Sequence, residues 1–272
     1  MNLVNQKIIF LDIDGTLVDF DMQMPRSTSL ALKKAKENGH KIALCTGRSV
    51  LDIYPWLLDF GFDGIVASAG AYIENDGKLV FHHTLNNEKL KTLSEILSNH
   101  KATYMFQGKE GKYIDLHNAK RLLEFAREHG FDDETMAEGV QITKEPYAKK
   151  MLESGMYFQA DIGIEEMRKI VDPYFKITGS SFGEEREFSG EITCAGIHKA
   201  TGMQILMDSM DIDVKDSIAF GDGPNDVEML SYAATGVAMG NAVEEIKPLA
   251  DFVTKRINED GIYAGFEKLG LI

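Results

Sequence analysis

The sequence predicts an α/β fold, a parallel-sheet core made from two separated stretches of chain with an α+β insertion between them. Three observations predict it. Short apolar runs alternate with helical segments as far as Ala67. The same alternation resumes from Ala200 onward. Between them, roughly Leu85 to Ser189, short strands mix with helices and Gly-containing turns.

Ile8 to Leu11 is a run of bulky apolar residues, the pattern of a parallel strand buried on both faces. Arg26 to Glu37 has a helical rhythm through Leu30, Ala31 and Ala35, stopped by Asn38-Gly39. Lys41 to Cys45 is a second strand and Gly64 to Ala67 a third. Leu51 to Phe60 between them reads as a helix with Pro55 in its first turn or at a kink. This βαβαβ order implies parallel pairing. In the insertion, Tyr104 to Phe106, Tyr113 to Leu116 and Met156 to Ala160 read as strands, with helices at Ala119 to Glu128 and Glu165 to Val171. The closing stretch reads as helix Ala200 to Met210, strand Ser217 to Phe220, helix Asn225 to Ala233 and strand Gly236 to Met239. A last helix is expected over Val243 to Ala250, with Asn241 as its N-cap and Glu244 completing a capping box.

The chain has 272 residues, enough for one large or two modest domains, and 44% of them are apolar. Its net charge of −14 and the lack of a concentrated basic stretch argue against a nucleic-acid or anionic-membrane partner. No apolar stretch approaches a membrane span, and the run ending at Leu11 is too short for a signal peptide's apolar region. Cys45 and Cys194 lack C-x-x-C spacing and read as small buried hydrophobes in a reducing compartment. The expected location is the cytoplasm.

Chemistry concentrates where strands end. Asp12 and Asp14 follow the first strand two residues apart, so both carboxylates project to one side. Two such charges about 4 Å apart repel by about 4 kcal/mol at an effective dielectric near 20, which a cation would relieve. An Asx turn is the alternative reading of this D-x-D-G taken alone. Thr46-Gly47-Arg48 after the second strand offers a hydroxyl and exposed N–H groups to a phosphate, or is an ordinary strand–helix turn. Lys199 opens a helix, where a cation opposes the dipole and an anion is welcome; singly, a solvated surface lysine is the alternative. Gly221-Asp222-Gly223-Pro224-Asn225-Asp226 brings two more acids around a tight turn; alone it reads equally as a calcium-like or purely structural turn, and beside Asp12 and Asp14 it adds the oxygen ligand that Mg²⁺ favours.

Taken in order, Asp12-Ile13-Asp14-Gly15-Thr16, Thr46-Gly47-Arg48, Lys199 and the Gly221–Asp226 segment resemble the motifs of the haloacid dehalogenase-like superfamily, and within it the Cof-type phosphatases. Met239-Gly240-Asn241-Ala242 and Asp260-Gly261-Ile262 are similar to the family's tail patterns. Ala69-Gly70-Ala71 and Ala200 depart from the family's usual residues near the substrate pocket and the helix start. The resemblance implies a Rossmann-like parallel-sheet core over residues 1–84 and 190–272, with an inserted α+β cap over 85–189 that reads the leaving group.

It also implies roles. Asp12 would be the nucleophile, giving an aspartyl-phosphate. Asp14 would be general acid and then general base, its backbone carbonyl ligating Mg²⁺ together with Asp12 and Asp222. Thr46, Gly47, Asn225 and Lys199 would hold the phosphate, and Asp226 would hold Lys199 or a metal-bound water. Arg48 would brace the turn or touch phosphate, and His198 is expected as a residue at the helix start. In the insertion, Tyr104, Phe106 and Tyr113 are candidates to face substrate, with core packing the stronger reading for each. The expected substrate is a small phosphate ester such as a sugar phosphate. A hexose phosphomutase of the same superfamily and a non-catalytic phosphate-binding module are the alternatives.

Overall fold

Four consecutive apolar side chains at Ile8–Leu11 have no exposed face to spare, and all four are fully buried in the centre of a sheet. The computed structural model describes residues 6–19, 21–128, 139–179 and 186–272. The chain divides into two units: Met1–Arg48, Ile53–His82 and Ile197–Ile272 form one, Ser49–Asp52 and His83–Gly196 the other.

The first unit begins with β1 (Ile8–Leu11), β2 (Lys41–Cys45), β3 (Gly64–Ala67), β4 (Tyr72–Asn75) and β5 (Lys78–His82). The second unit then contributes β6 (Thr103–Gly108), β7 (Gly111–Ile114), β8 (Val140–Ile142), β9 (Leu152–Phe158), β10 (Phe175–Gly179) and β11 (Gly190–Cys194). The chain returns to the first unit with β12 (Ser217–Gly221), β13 (Thr235–Ala238) and β14 (Phe252–Val253).

In the first unit the described strands run in the order β14-β13-β12-β1-β2-β3-β4-β5. Pairing is parallel from β14 to β3, and β4 and β5 are antiparallel additions. One face of this sheet carries Ile8, Phe10, Ala43, Cys45, Val66 and Ala219 against Met203, Leu206 and Met207 of the helix Lys199–Met210. Each buried Ile, Phe, Val, Leu or Met side chain among them contributes roughly 1.5–3 kcal/mol, and the smaller Ala and Cys less. The helix Arg26–Glu37 buries Thr28, Ala31, Leu32 and Ala35; Leu30, expected on its apolar stripe, is turned outward.

The second unit's sheet has the order β10-β11-β9-β6-β7-β8, antiparallel except for the β7–β8 pair. The helix Leu116–Glu128 places Ala119 and Leu122 against Met105 and Ile114. Leu122 is core, and Phe125 packs against Phe158 at 5.2 Å between centroids. Tyr104, Phe106 and Tyr113 are all buried. The inserted stretch includes residues 129–138 and 180–185, which lie outside the described residues.

Three helices expected from the sequence are corrected. Val243 to Ala250 is no α-helix: it holds a single 3-10 turn at Lys247–Leu249, because Pro248 lacks the N–H that a continuing helix needs. Leu51 to Phe60 breaks into a 3-10 turn at Val50–Asp52 and one α-helical turn at Pro55–Leu58, with Pro55 at the first helical position. Asn225 to Ala233 begins as a 3-10 turn over Pro224–Asp226 and becomes α-helical only at Val227–Tyr232.

Candidate active site

Strand register brings the motifs to one place. Leu11 is level with Phe220 on one side and Leu44 on the other, so Asp12 follows β1 beside Gly221 and Cys45, the last residues of β12 and β2. Asp12 N still donates to the Phe220 carbonyl at 3.1 Å, and Thr46 N to the Val66 carbonyl at 2.8 Å. The three loops therefore start from the carboxyl ends of adjacent parallel strands, where open α/β sheets bind ligands.

Lys199 reaches this edge as the first residue of the helix Lys199–Met210. His198 caps its helix, the ring Nδ1 accepting from Thr201 N at 3.3 Å while Thr201 Oγ1 donates to the His198 carbonyl at 2.8 Å. Two glycines set the depth of the helix start. A Cβ at Gly202 would lie 2.4 Å from Val66 Cγ1, and one at Gly70 (φ +103°) 2.4 Å from the His198 carbonyl oxygen. Lys199 is fully buried; its ammonium donates to Asp12 Oδ1 at 2.7 Å and to Asp226 Oδ1 at 2.5 Å. The reading of Lys199 as a solvated surface lysine is excluded.

Asp226 is fully buried too, and its Oδ2 accepts from Asp222 N at 2.8 Å and Gly223 N at 2.9 Å. Its oxygens thus tie the ammonium to the backbone of the Gly221–Asp226 turn. Thr16 Oγ1 donates to Asp222 Oδ1 at 2.7 Å. Gly15 makes this approach possible, since at its φ of +81° a Cβ would stand 2.1 Å from Asp222 Oδ2.

Asp12, Asp14, Asp222 and Asp226 meet two cations, Lys199 and Arg48, in this region. Burial, and next the charge of Asp226, pushes the Asp12 carboxyl well above its ordinary range. The same two causes raise Asp222 to about 7. Burial alone would lower Lys199, but Asp12 and Asp226 outweigh it and hold the ammonium charged. The cluster is short of positive charge.

Oxygens of Asp12, Asp222 and Asp226 lie within 4.8 Å of one another. Those of Asp226 are already taken by an ammonium and two N–H groups, which leaves Asp12 and Asp222 as the carboxylates suited to a cation. An all-oxygen set with two raised carboxyls fits a hard divalent ion such as Mg²⁺. The residues present therefore fit the metal that the motifs imply.

The Asp14 side chain is engaged elsewhere. Arg48 grips it with both arms, Nε to Oδ2 and Nη2 to Oδ1, each at 2.7 Å. Thr46 is buried and its Oγ1 accepts from Arg48 N at 3.1 Å, which turns the backbone at Gly47. Asn225 is half-buried on the turn between Asp222 and Asp226.

Two contributors escaped the reading of the sequence. Tyr54 receives a hydrogen bond from Arg48 Nη2 at 2.8 Å. Asn241 was expected to cap a helix; instead its Nδ2 donates to the Gly15 carbonyl at 2.7 Å and its Oδ1 accepts from Ile257 N at 2.8 Å. A resemblance to the family tail at Asn241 was visible, whereas Tyr54 lies in no motif.

A sequence profile described as haloacid dehalogenase-like hydrolase matches residues 9–266. The chain belongs to the haloacid dehalogenase-like hydrolases. It is similar to the putative phosphatase YkrA of Bacillus subtilis, with 29% identity over 99% of this chain and 100% of that one. It is also similar to the phosphoglycolate phosphatase of Methanobrevibacter smithii, 28% identical over 98% of this chain and 100% of the relative. Among solved structures, the subclass IIB sugar phosphatase BT4131 superposes with a TM-score of 0.81 at 27% identity, covering 98% of this chain and all of that one, 100%. Profile, relatives and structure agree on a haloacid dehalogenase-like phosphatase with a parallel-strand core.

Proposed function

We propose that this haloacid dehalogenase-like phosphatase hydrolyses small phosphorylated metabolites, sugar phosphates among them, through an aspartyl-phosphate on Asp12 with Mg²⁺ as its cofactor. The observation that carries the reading is the buried Lys199 ammonium fixed between Asp12 and Asp226 at 2.7 and 2.5 Å. That contact holds one oxygen of Asp12 and leaves its carboxylate oriented for in-line attack on phosphorus.

In the first half-reaction an Asp12 oxygen forms a bond to phosphorus as the ester oxygen departs. Asp14 gives that oxygen its proton. In the second, a water oxygen bonds to phosphorus, the Asp12 oxygen is released, and Asp14 takes the water's proton. Lys199, Thr46, the Gly47 N–H and Asn225 hold the phosphoryl oxygens. When bound by Asp12, Asp222 and the Asp14 carbonyl, the metal would neutralise charge on the transferring group. Asp226 keeps Lys199 in place. The inserted residues 85–189 serve as the cap that selects the leaving group; similar chains differ in substrate, a phosphoglycolate phosphatase and a sugar phosphatase among them.

A panel of phosphorylated metabolites, assayed for free phosphate with and without EDTA, tests the proposal. Phosphate release from sugar phosphates that EDTA stops and Mg²⁺ restores is the expected result. Chelator-insensitive turnover would contradict the metal role, and an isomerised ester without free phosphate would identify a phosphomutase instead.

A further inference from the structure

Arg48 and Tyr54 of the first unit touch Asp14 or its partner and take no part in the bond changes of the reaction. The Arg48 guanidinium forks onto Asp14, Nε to Oδ2 and Nη2 to Oδ1, both at 2.7 Å. Its Nη2 also donates to Tyr54 Oη at 2.8 Å, and its Cζ lies 4.4 Å from the centre of the Tyr54 ring. Tyr54 is in turn stacked on Trp56, with centroids 5.5 Å apart and planes 18° from parallel. The Arg48 backbone is pinned at both ends, its N–H on Thr46 Oγ1 at 3.1 Å and its carbonyl accepting from Ser68 N at 2.7 Å. The fork thus rises from a fixed platform, and its plane is set by an aromatic neighbour.

An aspartate carboxylate has two side-chain torsions and, left alone, presents its oxygens in many directions. A two-point guanidinium contact fixes both the position and the plane of the group. Each Asp14 oxygen accepts one N–H from Arg48 and keeps a second lone pair, the site at which a proton can be carried. We propose that Arg48, steadied by Tyr54, is a positioning residue that aims the Asp14 carboxyl at the leaving oxygen, and so sets how strongly the enzyme depends on leaving-group basicity. This rests on the phosphatase reading above, in which Asp14 moves the proton.

The physical consequence is specific. A sugar or other alkyl ester leaves as a strongly basic alkoxide and needs a well-placed acid. p-Nitrophenolate is a weak base and leaves without one. A brace of the turn alone would affect both esters equally. We would measure kcat/KM, which reports the first half-reaction, for p-nitrophenyl phosphate and for the alkyl phosphate that the wild type turns over fastest.

In Arg48→Gln the alkyl ester should lose about 10–100-fold more than the aryl ester, within the range of general-acid effects. Tyr54→Phe, which keeps the ring and removes the hydroxyl, should move the ratio a few-fold the same way. Arg48→Lys, with the charge but no fork, should recover only part of it. Intact-mass measurement during p-nitrophenyl phosphate turnover should reveal more phosphorylated protein in Arg48→Gln, because the water is activated by the same carboxyl. Circular dichroism checks folding, and Tyr54→Phe stands in if Arg48→Gln does not fold. Equal losses for the two esters, an unchanged ratio, or a rise in alkyl turnover would overturn the positioning role. Failure of the phosphatase reading looks different: the wild type itself would release no phosphate from either ester.

Discussion

At the residue scale the site is a problem in charge. Lys199 is fully buried and its two hydrogen bonds go to carboxylates that are themselves almost shut off from water. Removing one member of such a group leaves uncompensated buried charge, at a cost of about 3–5 kcal/mol. Lys199→Met should therefore lower the stability of the metal-free protein by about that amount in urea melts, besides ending turnover. Asp12→Asn should abolish p-nitrophenyl phosphate hydrolysis while leaving the circular dichroism spectrum unchanged; retained activity would remove Asp12 as the nucleophile. The raised carboxyls also predict a pH effect. Burial, with Asp226 beside it, brings Asp222 to about 7 and holds Asp12 up as well. An acid whose folded pKa is raised favours the native state while protonated, and that stability is lost as pH rises through the folded value. A divalent cation binds the ionised form and reverses the loss. The gain in Tm on adding Mg²⁺ to EDTA-treated protein should thus grow between about pH 5 and pH 8. A gain that is flat or shrinks with pH would contradict the assignment of Asp12 and Asp222 to the metal.

Elements position these residues, and close approach is the means. Gly202 lets the helix Lys199–Met210 lie against β3 with no side chain between, because a Cβ there would come within 2.4 Å of Val66 Cγ1. Gly202→Ala should push the helix outward, costing about 1–3 kcal/mol as overpacked interiors do. Lys199 moves with it, so kcat should fall more than KM changes; steady-state kinetics with a thermal melt test both. The strand elements were legible in the sequence because runs such as Ile8–Leu11 and Lys41–Cys45 are apolar throughout and bounded by turn residues. The segment after Asn241 was not. Its apolar spacing is helical, yet Pro248 interrupts the backbone and the Asn241 side chain is spent on Gly15 and Ile257. Periodicity cannot report where a side-chain amide finds its partners.

For the whole molecule, the acidic composition and the site belong together. A chain with net charge −14 attracts divalent cations weakly everywhere, but only a preformed cluster binds one in the native state alone. Such binding stabilises by about 2.7 kcal/mol at one hundred times the dissociation constant. A Tm that rises with Mg²⁺ and saturates, and that no longer rises in Asp222→Ala, is the expected outcome of a thermal shift titration. Among the described residues, no helix is long and apolar enough to cross a membrane.

Local pattern and spacing set the alternation of strands and helices, the insertion's different texture and the loops that carry the acids. Membership of the haloacid dehalogenase-like hydrolases is likewise legible in the ordered motifs. Tertiary structure alone decided which charges meet. Lys199 lies 187 residues from Asp12 along the chain and 2.7 Å from it in space. Arg48 turned out to hold Asp14, and Asn241 to hold the Gly15 carbonyl. These contacts depend on strand order and on the depth to which glycines let one element sink against another, and no local pattern encodes either.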